Sequence, residues 1–147
     1  MAFFQIPFIP DVLLRMHGAA LAARMIRSTA FNQEAFTEED LAHFRAAFKN
    51  PYAATAAINY YRALRRRDLL RMPAGDHWLA RKIAAPTLLI WGEHDVALGK
   101  ELTYAMEDLF TGPFATKYIA DSGHWVQQEK PELVNQYLKE FLAPDRS

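Results

Sequence analysis

Cysteine is absent from the chain, which excludes disulfides, thiolate metal sites and a cysteine nucleophile and agrees with a reducing cytoplasm. Net charge is absent as well, because 17 Lys and Arg residues balance 17 Asp and Glu residues. No long-range field therefore draws the protein to nucleic acid or to an anionic membrane. One local excess, Arg62, Arg65, Arg66, Arg67 and Arg71, reads as a solvated helix end, where cations suit the helix dipole. Long apolar runs are missing too. The stretch over residues 1–10 is apolar but short, holds Pro7 and Pro10 and lacks a basic leader, so it predicts a buried segment rather than a signal peptide or membrane span. His17, His43, His77, His94 and His124 show no close ligand spacing, so neither a metal nor another cofactor is expected. What remains is 147 residues, 51% of them apolar, without internal repeat or low-complexity tract: one ordinary globular domain's worth of chain.

The first half reads as helical throughout. Over residues 11–28, Val12, Leu13, Leu14, Met16, Ala20, Leu21, Met25 and Ile26 recur at helical spacing, with Arg15, Arg24 and Arg27 opposite them. Thr37-Glu38-Glu39-Asp40 supplies a cap and first-turn acids for a second helix, to about residue 48. Asn50-Pro51 repeats the signal and opens a third, over about 52–72.

Composition then changes. Pro73-Ala74-Gly75-Asp76 is a turn, and Thr87-Leu88-Leu89-Ile90-Trp91 is the continuous apolar run of a strand buried on both faces. The loop Gly92-Glu93-His94-Asp95 follows, then a helix near residues 100–109 and a turn at Gly112-Pro113. A second strand, Ala115-Thr116-Lys117-Tyr118-Ile119-Ala120, leads into Asp121-Ser122-Gly123-His124-Trp125, and a helix runs from residue 131 to about 142. Strand, helix, strand, helix with short loops makes a parallel unit whose loops open at the C-terminal edge of the sheet, where open α/β folds place their chemistry. Two parallel strands cannot cover themselves, so this reading calls for more sheet than the chain holds.

Successive strand-to-helix loops bearing first a carboxylate and then an imidazole are the tail of the order nucleophile, acid, histidine used by α/β-hydrolases. Four pieces narrow the likeness: Phe3-Phe4-Gln5-Ile6-Pro7, Asn59-Tyr60-Tyr61-Arg62, Pro86-Thr87-Leu88-Leu89-Ile90-Trp91-Gly92-Glu93-His94-Asp95, and Gly123-His124-Trp125-Val126-Gln127-Gln128 with Pro131. In this order, over nearly the whole chain, the sequence resembles the C-terminal half of α/β-hydrolases of the epoxide hydrolase family. The last two pieces are shared by many α/β-hydrolases, and the first two narrow the match to epoxide hydrolases. The resemblance implies a partial α/β-hydrolase fold: a helical cap over residues 1–72, then, over residues 73–147, a βαβα unit from the end of the parallel core sheet. In that family the nucleophilic aspartate and the His-Gly loop of the oxyanion hole precede the cap, and neither has a counterpart here. The first cap tyrosine would fall at or just outside Met1. A truncated or split reading frame starting at an internal methionine is the expectation.

The implied reaction opens an epoxide by carboxylate attack, with tyrosine hydroxyls assisting the departing oxygen, and then hydrolyses the alkyl-enzyme ester to a vicinal diol. His124 would be the base that deprotonates water. Its plainer alternative is a histidine capping a local turn. Asp95 would orient that imidazole, with Glu93 and His94 as rivals, or would cap the following helix instead. Tyr61 would be the ring-opening donor and Tyr60 its rival, since side chains of consecutive helical residues diverge by about 100°. For both, packing between cap and core is the plainer fate. Trp125, Phe3, Phe4 and Phe8 read as apolar lining or packing.

On this reading the enzyme is a cytoplasmic hydrolase acting on a small apolar epoxide or ester-like substrate, inactive as this chain alone, with no nucleic acid or membrane partner. A haloalkane dehalogenase or esterase is a second enzymatic reading, which Tyr61 disfavours. A third is a non-catalytic fragment whose exposed strand edge pairs with a separate N-terminal half or with a second copy.

Overall fold

Thr37 opens its helix by reciprocal bonding: its hydroxyl accepts from the Asp40 amide at 3.1 Å, and the Asp40 carboxylate accepts from the Thr37 amide at 2.9 Å. The helix so capped, α2 (Glu38–Lys49), is followed directly by α3 (Pro51–Leu70), where the Asn50 side chain accepts from the Tyr52 amide at 2.9 Å. The computed structural model describes residues 2–70 and 82–143. Arg71 and Met72, the expected end of the third helix, and the turn at Pro73-Ala74-Gly75-Asp76 lie outside the described residues.

Two expectations for the N-terminal stretch need correction. Residues 11–28 do not form one uninterrupted helix: α1 (Ile9–Ser28) is broken at Met16, and His17, Gly18 and Ala19 follow with φ of 50°, 67° and 64°. Gly18 takes a left-handed conformation at little cost, and that is where the helical pattern gives way. The segment over residues 1–10 is also not buried as a whole. A short 3₁₀ turn, Ala2–Gln5, precedes α1, Phe4 packs against the core and Pro10 is buried, but Phe8 is 81% exposed, with Ile6 and Ile9 exposed too.

The chain divides into two compact units, Met1–Arg27 with Thr37–Trp78, and Ser28–Phe36 with Leu79–Ser147. The first has a helical core of Leu14, Ala19, Ala22 and Ile58, with Phe4 and Phe48 against it. Full burial of a side chain such as Ile58 stabilises by roughly 1.5–3 kcal/mol.

The second unit is built on two strands, β1 (Thr87–Gly92) and β2 (Phe114–Ile119), paired in parallel with Thr87 opposite Phe114 and Gly92 opposite Ile119. A single bridge, Ile83 to Phe110, extends the pairing. The side chains of Thr87, Leu88, Leu89, Ile90 and Trp91 are half-buried, not buried on both faces, because β2 is the one strand pairing with β1 among the described residues. Nor is there a continuous helix over residues 100–109. Two 3₁₀ turns, Lys100–Thr103 and Met106–Leu109, are separated at Ala105, whose φ of 54° stops helical propagation. The short helix α4 (Val126–Glu129) and the helix α5 (Pro131–Leu142) complete the unit, and Ile119, Val134, Ala30 and Phe36 are buried in it.

Candidate active site

Parallel pairing sends the loops after β1 and β2 out at one edge of the sheet, so the residues that follow Gly92 and Ile119 become neighbours. The amide of Glu93 donates to the carbonyl of Ile119 at 3.0 Å, and that of His94 to the carbonyl of Ser122 at 3.0 Å. This approach depends on Gly92, where a Cβ would overlap the backbone carbonyls of Ser122 and Gly123.

At this edge His124 Nδ1 lies 2.9 Å from Asp95 Oδ2. The Asp95 side chain is 8% exposed and that of His124 31%. The other Asp95 oxygen, Oδ1, accepts from the amides of Ala97 at 2.8 Å and Leu98 at 2.9 Å. Asp95 thus holds the turn after β1 with one oxygen and meets the imidazole with the other. Burial alone would push its carboxyl up, but hydrogen bonds from His124 and from the amides of Leu98 and Ala97 outweigh that, and its pKa lies below the ordinary carboxylate value. Opposite an ionised carboxylate, Nδ1 is the donor, which leaves Nε2 as an acceptor. No partner bonds to Nε2 among the described residues.

The two rivals of Asp95 are engaged elsewhere. Glu93 pairs with Lys100, and the His94 ring stacks on Phe31, with centroids 4.2 Å apart and planes 8° from parallel. Trp125 packs edge-on to Phe36 and donates from Nε1 to the Thr29 hydroxyl at 2.8 Å.

Glu129 is a residue that the sequence did not flag. It is 7% exposed, and its carboxylate accepts from the amides of Gly123 at 3.2 Å, Trp125 at 3.3 Å and Asn32 at 2.9 Å. An acid just ahead of Pro131 reads as a helix-opening charge, and α4 is what turns it back onto the histidine loop.

Tyr61 belongs to the first unit. Its ring is half-buried and stacks on Phe4 with centroids 5.1 Å apart, whereas Tyr60 meets it edge-on and is 66% exposed. The two sequence pieces around these residues are joined by Arg62: its Nε donates to the Phe4 carbonyl at 2.9 Å, and its Nη2 to the Ile6 carbonyl at 2.8 Å and to Asp11 Oδ2 at 3.0 Å. Arg62 is therefore not part of a solvated helix end, since its side chain is 19% exposed and that of Asp11 16%. Burial would raise the Asp11 pKa, but the bonds from Arg62 and Thr55 leave it lowered. The side chains of Arg65, Arg66 and Arg67, and the whole of Arg71 and Met1, lie outside the described residues. Phe8 is largely exposed and lines a cavity together with Gln5, Asp11, Asn59 and Arg62. Among the described residues no helix is long and apolar enough to cross a membrane, and no group of three or more His, Asp or Glu could hold a metal ion.

No family model matches the chain. It is 33% identical over 146 residues to Epoxide hydrolase 2 of Caenorhabditis elegans, covering 97% of this chain and 39% of that protein. To AB hydrolase superfamily protein YfhM of Bacillus subtilis it is 32% identical over 141 residues, covering 96% of this chain and 46% of the relative. The chain thus spans less than half the length of these relatives. Epoxide Hydrolase A from Mycobacterium thermoresistibile superposes with a TM-score of 0.73 at 27% identity, covering 96% of this chain and 50% of that structure. The helical region and the two-stranded parallel sheet are a partial α/β-hydrolase fold, and over nearly its whole length the chain is similar to α/β-hydrolases of the epoxide hydrolase family, covering a share of their length that fits a C-terminal half.

Proposed function

We propose that this chain supplies the water-activating half of an epoxide hydrolase. The observation carrying this reading is the 2.9 Å contact between His124 Nδ1 and Asp95 Oδ2, with Nε2 left as an acceptor, in a chain matching proteins named epoxide hydrolases. The nucleophilic carboxylate comes from the portion of the relatives that lies outside the match. It attacks one carbon of a small apolar epoxide, the C–O bond of the ring breaks, and Tyr61 gives its phenolic proton to the departing oxygen. Residues 1–72 act as the cap that brings Tyr61 to the substrate. Water then attacks the resulting ester carbonyl and gives its proton to Nε2 of His124, while Asp95 stabilises the imidazolium. Collapse of the intermediate breaks the ester C–O bond, the expelled alkoxide takes the proton from the imidazolium to give the vicinal diol, and the carboxyl's remaining proton returns to the Tyr61 phenolate, restoring carboxylate, imidazole and phenol. The chain alone, without a nucleophile, turns over no substrate. The open edges of the two-stranded sheet are where the N-terminal half pairs, and the lack of cysteine supports a cytoplasmic setting.

The test joins this chain to the N-terminal portion of one of its relatives and offers the product an aryl epoxide and a haloalkane. Diol is expected from the epoxide, and the His124→Gln variant should accumulate a covalent ester visible by mass spectrometry. Tyr61→Phe should slow ester formation, whereas Tyr60→Phe should leave it unchanged. Halide release without diol would overturn the epoxide reading in favour of a dehalogenase, and an undiminished rate in His124→Gln would remove the base from the scheme.

A further inference from the structure

We infer that Glu129 is a positioning residue, whose buried carboxylate fixes the backbone on both sides of His124 so that the imidazole meets Asp95. The inference rests on the His124–Asp95 pair being the working base. The two amides that Glu129 takes within the histidine loop belong to Gly123 and Trp125, the immediate neighbours of His124. Gly123 donates to both carboxylate oxygens at 3.2 Å, Trp125 to Oε1 and Asn32 to Oε2. Only an acceptor-only group with several lone pairs satisfies three converging donors, and an ionised one does so with charge-assisted bonds. No cation pairs with Glu129 among the described residues.

The third amide gives the clamp a fixed base. Asn32 sits in the segment Ser28–Phe36, which packs within the same unit as the strands. Phe31 of that segment stacks on His94 of the acid loop, and a Cβ at Gly123 would press on the Phe31 backbone. One short segment therefore touches both loops, and Glu129 ties it to the histidine loop. A base displaced by about 1 Å can cost roughly 100-fold in rate, so holding this loop bears on chemistry as well as on stability.

The test reads geometry rather than turnover, using NMR of the 147-residue chain. In the parent, the Nδ1 proton of His124, shared with Asp95, should resist exchange with water and give a downfield resonance. Glu129→Gln turns an amide NH2 toward at least one backbone donor, and that resonance should disappear while most other signals persist. Val134→Ala, which opens the same unit at a buried position, should lower stability yet keep the resonance. If Glu129→Gln does not fold, Glu129→Asp, with the charge drawn back by one methylene, should lose the resonance in its place. A resonance equally protected in the parent and in the folded Glu129 variant overturns the positioning role alone. Its absence from the parent overturns the His124–Asp95 pairing and the proposed function with it. Unfolding of both Glu129 variants while Val134→Ala folds, or loss of the resonance in all three variants, would make Glu129 a scaffold residue only.

Discussion

The two compact units use partly buried carboxylates in opposite ways. In the helical unit, Asp11 meets a permanent cation, and Arg62 passes the same guanidinium on to the carbonyls of Phe4 and Ile6. The result is a fixed strut that joins the turn before α1 to the third helix. In the sheet unit, Asp95 meets an imidazole and two loop amides, and Glu129 meets amides alone. The partner of Asp95 keeps a second ring nitrogen, Nε2, to which no described residue bonds. Equal chemistry on the acid side makes a strut in one unit and, in the other, a pair that leaves one imidazole nitrogen unengaged, according to what faces the carboxylate.

Replacing Asp95 should break the contrast most severely. With Asn at that position, the amide NH2 faces Nδ1 and the ring holds its proton on Nε2, the wrong tautomer for a base. Turnover of the protein completed with an N-terminal half should fall on the order of 10⁴-fold, measured as kcat on an epoxide. A residual activity within tenfold of the parent would show that His124 needs no orienter.

Gly92→Ala attacks the same unit through its backbone. The added methyl overlaps the Ser122 and Gly123 carbonyls, and the loops must separate, at a cost of about 3 kcal/mol. Urea unfolding would read this, and an unchanged midpoint would mean that the loops are not in close contact.

Arg62→Met tests the strut. Its loss should cost about 1.5 kcal/mol, since the Phe4 and Ile6 carbonyls forfeit charged donors but lie near enough to water to recover part of the loss. The same measurement should show no effect on the His124 resonance, because the pair belongs to the other unit.

The smallest expected effect is a pH dependence. The folded-state pKa of Asp95 lies below its ordinary value of 3.8, so the stability it contributes is complete above that value and is lost as pH falls through the depressed one. The stability gap between the parent and Asp95→Asn, followed by denaturant titration, should shrink as pH falls below about 4. A gap that widened below that pH would reverse the sign of the linkage.

Much of the sheet unit was legible in the residues. An apolar run ending at Gly92, an alternating run before Asp121 and a proline at the start of α5 set the order of its elements, and strand-end placement put an acid and a histidine at one edge. The interval between the strands was misread because helical spacing over residues 100–109 does not reveal the left-handed Ala105 that splits it. In the helical unit the caps at Thr37 and Asn50 were visible, since a cap is a local contact between residues near in sequence. The break at Met16–Ala19 was foreshadowed only by Gly18, which helices also tolerate.

What the sequence by itself determined is everything that depends on neighbours along the chain: helix starts, strand periodicity, and the residue types carried on each loop. Only the tertiary structure decided which of Glu93, His94 and Asp95 meets His124, and that Arg62 is tied down rather than solvated. It alone brought Glu129 and the segment from Ser28 to Phe36 against the histidine loop. Those choices turn on contacts between residues far apart in sequence, such as Asn32 with Glu129 and Arg62 with Phe4. Local propensity has no information about them, because the energy of a hydrogen bond or a stacked ring depends on where folding delivers the partner.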